Sequence, residues 1–244
     1  MTAASLNIWP HGYRLIRHDE IDSTNSEARR LAEAGECGPV WIATDRQTAG
    51  RGRRGRAWDS GSGNLAATLL VRPPADFGQL SFAAALAVFD VAAHFAPAAR
   101  ITVKWPNDVL IEGCKLAGIL LESGQDAKGA WLAIGVGINL VSHPEGTEFP
   151  ATSLAAFVTA PSSGEALTVL AVRFAHWYDA WMERGFETLR AAWLARAGGL
   201  GGQIRARLPH ETRHGVFEGI DANGALLLNE QGTIRAIAAG EVFF

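Results

Sequence analysis

Residues 44–58 read Thr-Asp-Arg-Gln-Thr-Ala-Gly-Arg-Gly-Arg-Arg-Gly-Arg-Ala-Trp. Arginine and glycine alternate through the centre of this stretch. Glycine lets the backbone approach a ligand closely, and arginine carries a permanent charge on a planar fork of donors that suits phosphate and carboxylate. Between positions 45 and 59, five arginines stand against two aspartates, a local charge of +3 in a chain whose net charge is −3. A loop so built wraps an anion. Taken alone, the stretch also reads as an RGG-like nucleic-acid segment or as a solvated basic loop. Its setting favours the anion trap, because it lies between two apolar runs, Val40–Ala43 and Asn64–Val71, and not in a tail.

Those two runs are predicted strands, the second stopped by Pro73-Pro74. Upstream, Tyr13–Arg17 reads as a short strand, and Ser23-Thr24-Asn25-Ser26-Glu27 opens a helix to about Ala34, with Thr24 and Glu27 at capping-box spacing. Downstream, Gln79–Phe95 is an alanine-rich helix, and Ile101–Lys104 and Val109–Ile111 are strands around the turn Pro106-Asn107-Asp108. Leu116–Glu122 and Trp131–Ile138 are predicted to form a hairpin, followed by helices at Ser153–Phe157, Glu165–Glu183 and Phe186–Ala197. Gly198-Gly199-Leu200-Gly201-Gly202 is a linker signal. Four short strands follow it, at Gln203–Leu208, His214–Ile220, Ala225–Leu228 and Thr233–Ala238. The pattern is α+β: a mixed or antiparallel sheet with packed helices over residues 1–197, then a small β barrel over 198–244.

At 244 residues the chain buries a full core. No unbroken apolar run reaches the roughly 18 residues that cross a bilayer, and the N-terminus lacks the basic-then-apolar layout of a signal peptide. Cys37 and Cys114 give neither a disulfide framework nor a metal-ligand spacing. The expectation is a cytoplasmic protein with no membrane partner and no resident metal. The mild acidity argues against general nucleic-acid binding.

Lysine is rare: Lys104, Lys115 and Lys128 are the only three. Two of them fall in chemically suggestive places. Lys104-Trp105-Pro106-Asn107-Asp108 offers an amide able to read a base edge and a carboxylate for a metal or a lysine, although it also reads as a plain Asn-Asp turn. Lys115, at a turn-to-strand junction before Leu116-Ala117-Gly118, suits a point charge aimed at phosphate or a developing oxyanion, or is an exposed turn lysine. Gly135-Val136-Gly137-Ile138-Asn139 permits close backbone approach but lacks the third glycine of a dinucleotide fingerprint. No P-loop, serine triad or zinc spacing is present.

In one order along the chain stand Asp22-Ser23-Thr24-Asn25, then Gln47–Trp58, Lys104–Asp108, Lys115–Leu120 and Gly135–Asn139. This set resembles the biotin–protein ligases over about residues 13–142, and the C-terminal β segment resembles that family's small SH3-like domain more loosely. The resemblance implies a class II synthetase-like catalytic domain. It implies that biotin and MgATP give biotinyl-5′-AMP, whose biotinyl group passes to a lysine of a biotin carboxyl carrier domain of acetyl-CoA carboxylase or a related enzyme. It assigns Ser23, Thr24, Asn25 and Gln47 to the biotin ureido end, and Gly50, Arg51, Gly52 and Arg53 to the loop over biotin and its carboxylate. Arg54 and Arg56 fall to the phosphates, Trp58 to adenine, and Asn107 and Asn139 to the nucleotide. Lys115 would stabilise charge at the reacting carboxylate and α-phosphate, with Arg53 and Asp108 beside it, and Gly118 would allow close approach. Only 22 residues precede Ser23, so no DNA-binding winged helix and no DNA partner are expected; the resemblance allows a homodimer. The rival readings are a lipoate–protein ligase and a nucleic-acid-binding module that uses the arginine loop.

Overall fold

The computed structural model describes residues 9–73 and 77–244; Pro74, expected to help stop the second apolar strand, lies outside them. Seven strands form one mixed sheet. They are β1 (Arg14–Ile21), β2 (Val40–Gln47), β3 (Leu65–Val71), β4 (Ile101–Lys104), β5 (Asp108–Ile111), β6 (Cys114–Asp126) and β7 (Gly129–Ile138). Their order is β1-β2-β3-β7-β6-β5-β4. Only β1 and β2 run parallel; every other neighbouring pair is antiparallel.

The two faces of this sheet follow from period-two alternation. On β2, Trp41 and Ala43 point into the main core, where α2 (Leu80–Phe95), α3 (Ser163–Arg184) and α4 (Phe186–Leu194) pack. Val40 and Ile42 point the other way, onto Ala28 and Ala32 of α1 (Thr24–Glu33). On the α1 side the middle of the sheet turns small: Ala66 and Thr68 on β3, Gly135 and Gly137 on β7, Gly118 on β6. Where side chains this small meet the single short helix α1, a cavity is left above the sheet.

α2 is apolar on all sides, and its stretch Phe77–Phe95, at mean hydropathy 1.3, is long and apolar enough to cross a membrane, against the expectation from unbroken runs. Its packing gives a simpler reason. Leu80, Ala83, Leu86, Ala87, Val88 and Val91 are fully covered by the sheet and by α3 and α4, as an all-round hydrophobic core helix should be. The Trp177 and Trp181 indoles of α3 donate to Asp90 Oδ2 at 2.9 Å and to Gln79 Oε1 at 2.8 Å.

Two helix starts differ from expectation. Ser23, and not Thr24, is the N-cap of α1, and it makes no side-chain capping bond. The reciprocal capping box belongs instead to Ser162 and Glu165 at the start of α3. The helix expected at 153–157 is a single tight turn, Leu154–Ala156.

The last part of the chain forms a five-stranded antiparallel sheet of β8 (Gln203–Arg207), β9 (Thr212–Ile220), β10 (Leu226–Glu230), β11 (Thr233–Ile237) and β12 (Glu241–Phe243), in the order β11-β10-β9-β8-β12. Four of these strands were legible in the sequence; β12 was not. The glycine run 198–202 is docked and not a free linker. Gly198 N–H donates to Val103 O at 2.9 Å, and Val103 N–H donates to Arg196 O at 3.0 Å. Side chains complete the attachment: Trp105 Nε1 donates to Gly224 O at 3.1 Å, and Arg190 Nε to Ile220 O at 2.7 Å.

Candidate active site

The arginine–glycine stretch is a tight hairpin. Trp58 N–H donates to Gly50 O at 3.0 Å and Gly52 N–H to Arg56 O at 2.7 Å. At its tip Arg54 and Gly55 are both left-handed, with φ of 56° and 73°, the backbone that closes primed turns. Gly50 is required for the closure, because a Cβ there would strike the Trp58 carbonyl. The hairpin folds Trp58 onto the sheet, where its indole fills the space over Gly137; a Cβ at Gly137 would overlap that ring.

Beneath the hairpin lies one cavity. Its neutral end is built from the first turn of α1 and the neighbouring strands. Ser23, Thr24 and Asn25 line it and are buried. Thr68 Oγ1 lies 2.6 Å from Asn25 Oδ1 and 2.7 Å from Thr24 Oγ1. With one proton, it donates to the amide oxygen and accepts from Thr24. Asn25 Nδ2 donates to Glu122 Oε2 at 2.7 Å. Gln47 accepts from Thr24 N–H at 2.9 Å and donates to Ser60 Oγ at 3.0 Å. It lines the cavity while fixing the helix start. Ser23 makes no side-chain capping bond and lines the cavity.

The charged end gathers Arg51, Gly52, Arg53, Arg56, Asn107, Asp108, Lys115 and Gly118 along the same wall. Lys115 Nζ lies 2.6 Å from Asp108 Oδ1. Their meeting depends on a bulge: β5 and β6 pair Asp108 with Gly118 but Leu110 with Lys115, one residue out of step. A one-residue slip reverses the face a side chain takes, so the bulge at Leu116 turns Lys115 onto the side of Asp108 and Gly118. The lysine backbone is held by segment 150–152: Lys115 N–H donates to Pro150 O at 2.7 Å, and Thr152 N–H donates to Lys115 O at 2.9 Å. Asn107 is pinned, its Nδ2 donating to Ile119 O at 2.7 Å and its Oδ1 accepting from Arg53 Nη1 at 3.1 Å. Burial, and then the charge of neighbouring Arg54, lower the Arg53 pKa.

Most of the cavity's cations already have anionic partners. Arg51 Nη2 is 3.1 Å from Glu122 Oε2, and its Nη1 donates to Ser26 Oγ at 2.7 Å. Arg56 pairs with Glu241, and Arg54 Nη1 lies 3.9 Å from the same carboxylate. Burial pushes the Glu241 pKa up, but Arg207, Arg56 and Arg54 together hold it below the ordinary carboxylate range.

Three residues singled out in the sequence stand apart from the cavity lining. Gly50 and Arg54 belong to the hairpin behind it. Asn139, buried at the end of β7, donates from Nδ2 to Thr152 O at 3.1 Å. It therefore steadies the segment that holds Lys115.

This fold and this cavity have counterparts among known proteins. A model described as the biotin/lipoate A/B protein ligase family matches residues 20–139, and one described as the biotin protein ligase C-terminal domain matches residues 199–244. Over 234 residues the chain is 45% identical to a biotin–[acetyl-CoA-carboxylase] ligase of Paracoccus denitrificans, covering 91% of this chain and 97% of that one. The chain belongs to the biotin protein ligase family. It is also 36% identical to a biotin–[acetyl-CoA-carboxylase] ligase of Mycobacterium tuberculosis over 91% of this chain and 86% of the other. The fold superposes on the biotin protein ligase from Aquifex aeolicus in complex with biotin and ATP with a TM-score of 0.81, at 28% identity, over 94% of this chain and 97% of that one.

Sequence reasoning assigned no role to five residues of the site. Lys104 is 5% exposed and lines the cavity; its signal was the scarcity of lysine. Thr68 and Glu122 carried none, being one polar residue in an apolar strand and one acid at a strand's end. Phe149 and Glu241 also line the cavity. Both come from segments with no motif, and Glu241 arrives on the unforeseen β12.

Proposed function

We propose that this cavity activates biotin with MgATP to biotinyl-5′-AMP and transfers the biotinyl group to a lysine of a biotin carboxyl carrier domain. The observation that carries the reading is a single cavity lined at one end by buried neutral hydrogen-bonding groups and at the other by Arg53, Lys115 and Asn107. A cyclic urea is neutral and offers two donors and one acceptor, which suits Ser23, Thr24 and Asn25. A carboxylate meeting a triphosphate is a union of two anions, which suits the cationic end.

In the first step a carboxylate oxygen of biotin attacks the α-phosphorus. The bond from that phosphorus to the bridging oxygen breaks, and magnesium pyrophosphate leaves. Lys115 is the group we assign to the charge shared by the carboxylate and the α-phosphate, with Asp108 holding its ammonium in place. Arg51 and Arg53 cover the reacting carboxylate, Arg56 faces the phosphates with Arg54 behind it in the hairpin, and Trp58 with Asn107 takes the adenosine end. In the second step the carrier lysine's neutral amine attacks the anhydride carbonyl, the carbon–oxygen bond to AMP breaks, and the amine's extra proton goes to water. No His, Cys, Asp or Glu trio converges among the described residues. We take magnesium to enter with the nucleotide, because this ion is commonly carried on substrate phosphate oxygens. Residues 1–197 would then be the catalytic unit and 198–244 the unit that closes the cavity with Glu241.

Incubating the protein with biotin, MgATP and an apo carrier domain, then weighing the carrier, tests the reading. One added biotinyl group on the acceptor lysine is the expected result. ATP–pyrophosphate exchange driven by lipoate and not by biotin would replace it with a lipoate ligase.

A further inference from the structure

Two cations that line the cavity have no carboxylate within ion-pair distance among the described residues: Arg53, which bonds the neutral amide of Asn107, and Lys104. Lys104 is the stranger of the two. It ends β4, is 5% exposed, and its ammonium makes no hydrogen bond to any described residue. Its ammonium rests instead on aromatic faces. Nζ is 3.4 Å from the Phe149 ring centroid, and 5.8 Å and 5.7 Å from those of Phe243 and Phe244. Phe149 and Phe243 are themselves stacked, with centroids 4.5 Å apart.

A buried ammonium on aromatic faces keeps its charge at modest cost, yet rings supply none of the three acceptors it can use. Lys104 lines the cavity, so its unused donors can meet a group that enters there. The arrangement is explained if the acceptors arrive with a ligand. Because Lys104 lines the same wall as Lys115, Arg53 and Glu241, that ligand is an anion in the same cavity. The carboxylate and α-phosphate are already matched by Lys115 and Arg53, which leaves the terminal phosphates for Lys104 beside Arg56.

Resting on the function proposed above, we propose that Lys104 is a phosphate-binding residue: its ammonium leaves the Phe149 face to bind the terminal phosphates of the nucleotide and holds the pyrophosphate as the α-phosphorus bond breaks. Charge accounting agrees. The groups that bear on Lys104 are Asp108, Lys115, Glu241 and Glu148, and burial, against the pull of Asp108 and with the push of Lys115, lowers its pKa to about 8. An arriving pyrophosphate favours the charged form, so binding takes up a proton at pH above 8.

The test uses the full chain with Lys104→Met, which keeps length and apolar volume, and with Phe149→Leu, which keeps the lysine. Biotin-dependent ATP–pyrophosphate exchange is followed over pyrophosphate and ATP concentration, and biotin binding is measured without nucleotide. Loss of a charged hydrogen bond predicts that Lys104→Met raises KM for both ATP and pyrophosphate roughly ten- to hundredfold, with biotin affinity kept within about twofold. Magnesium pyrophosphate binding at pH 8.5, followed by calorimetry in buffers of different ionisation enthalpy, should take up more protons in the parent than in Lys104→Met. A merely structural lysine would not give that difference. Parent-like KM for pyrophosphate in Lys104→Met, or equal proton uptake, overturns the proposal. If Lys104→Met does not fold, Phe149→Leu decides: an altered KM for pyrophosphate supports the role, and an unaltered one overturns it. Absence of any biotin-dependent exchange in the parent would instead sink the function on which the proposal rests.

Discussion

The two ends of the cavity are held together by different physics. The neutral end is built into the core: Thr24, Asn25 and Thr68 are buried, and their hydrogen bonds run between α1 and the middle of the sheet. The charged end is held by pairs that a ligand can replace. Arg56 rests on Glu241, Lys115 on Asp108 and Arg53 on Asn107, while Arg51, on Glu122 and Ser26, joins this end to the neutral one through Asn25. A neutral ligand group gains little from charge, so its site must be preorganised by packing. An anion brings its own attraction, so its site can hold surrogate partners until it arrives. The first end should respond to substitution through binding, and the second through rate and retention.

The sharpest way to break that contrast is Lys115→Ala. If the charged end works on the transition state, single-turnover formation of biotinyl-AMP should slow by about 10²–10³, the scale of removing one preorganised donor from a developing oxyanion, while biotin affinity changes little. Unchanged adenylation with weakened biotin binding would reverse the division between the two ends.

Thr68→Val tests the neutral end. It removes the donor to Asn25 Oδ1 at nearly constant volume, and an orphaned buried acceptor costs about 1–3 kcal/mol. Biotin binding should weaken by roughly five- to a hundredfold, with the rate of adenylation at saturating biotin preserved. A loss in rate alone would show that the neutral end is not a binding device.

Arg53→Gly separates retention from chemistry. Among the described residues its guanidinium bonds only Asn107, so its loss should leave the hairpin folded through Arg51 and Arg56 while the adenylate escapes about tenfold faster, the scale of one charge-assisted bond. The readout is biotin found on bystander lysines of an added protein without a carrier domain. No increase in that labelling would assign retention to the other arginines.

The sequence showed the cavity's charged motifs more clearly than the way they meet. Arginine, glycine and lysine in Gln47–Trp58 and at Lys115 are unusual residues in unusual density, so their chemistry is readable without coordinates. The α+β pattern was readable for the same reason that period-two and period-3.6 spacing is. What brings Lys115 to Asp108 is a bulge at Leu116, and a bulge is a register, a relation between two strands that neither strand's residues declare. β12 was missed because Glu241–Phe243 is three residues long, too short for alternation to show. Thr24 and Glu27 have the spacing of a capping box, yet the helix begins one residue earlier in the chain, with Ser23 as a cap that makes no side-chain bond and lines the cavity.

The smallest effect tests how weakly the charged end is tied. The Glu241 carboxylate serves Arg54, Arg56 and Arg207 at once, and so ties the hairpin to β12. Its pKa is held below the ordinary carboxylate value despite burial. A carboxylate depressed on folding adds stability above its unfolded pKa and loses it as pH falls through the folded one. The latch is therefore fully present at pH 7 and at pH 5, and it fades only below the ordinary carboxylate range. Glu241→Gln should lower stability by about 1 kcal/mol, seen as a reduced Tm at pH 7 and at pH 5, with the difference from the parent shrinking toward pH 3. It should also raise protease cleavage within residues 51–57 a few-fold without ligand, and ATP with biotin should restore protection, since phosphate then stands where the carboxylate stood. Protection that ligand fails to restore would mean that Glu241 is a fixed part of the hairpin's fold, and that the charged end is as rigid as the neutral one.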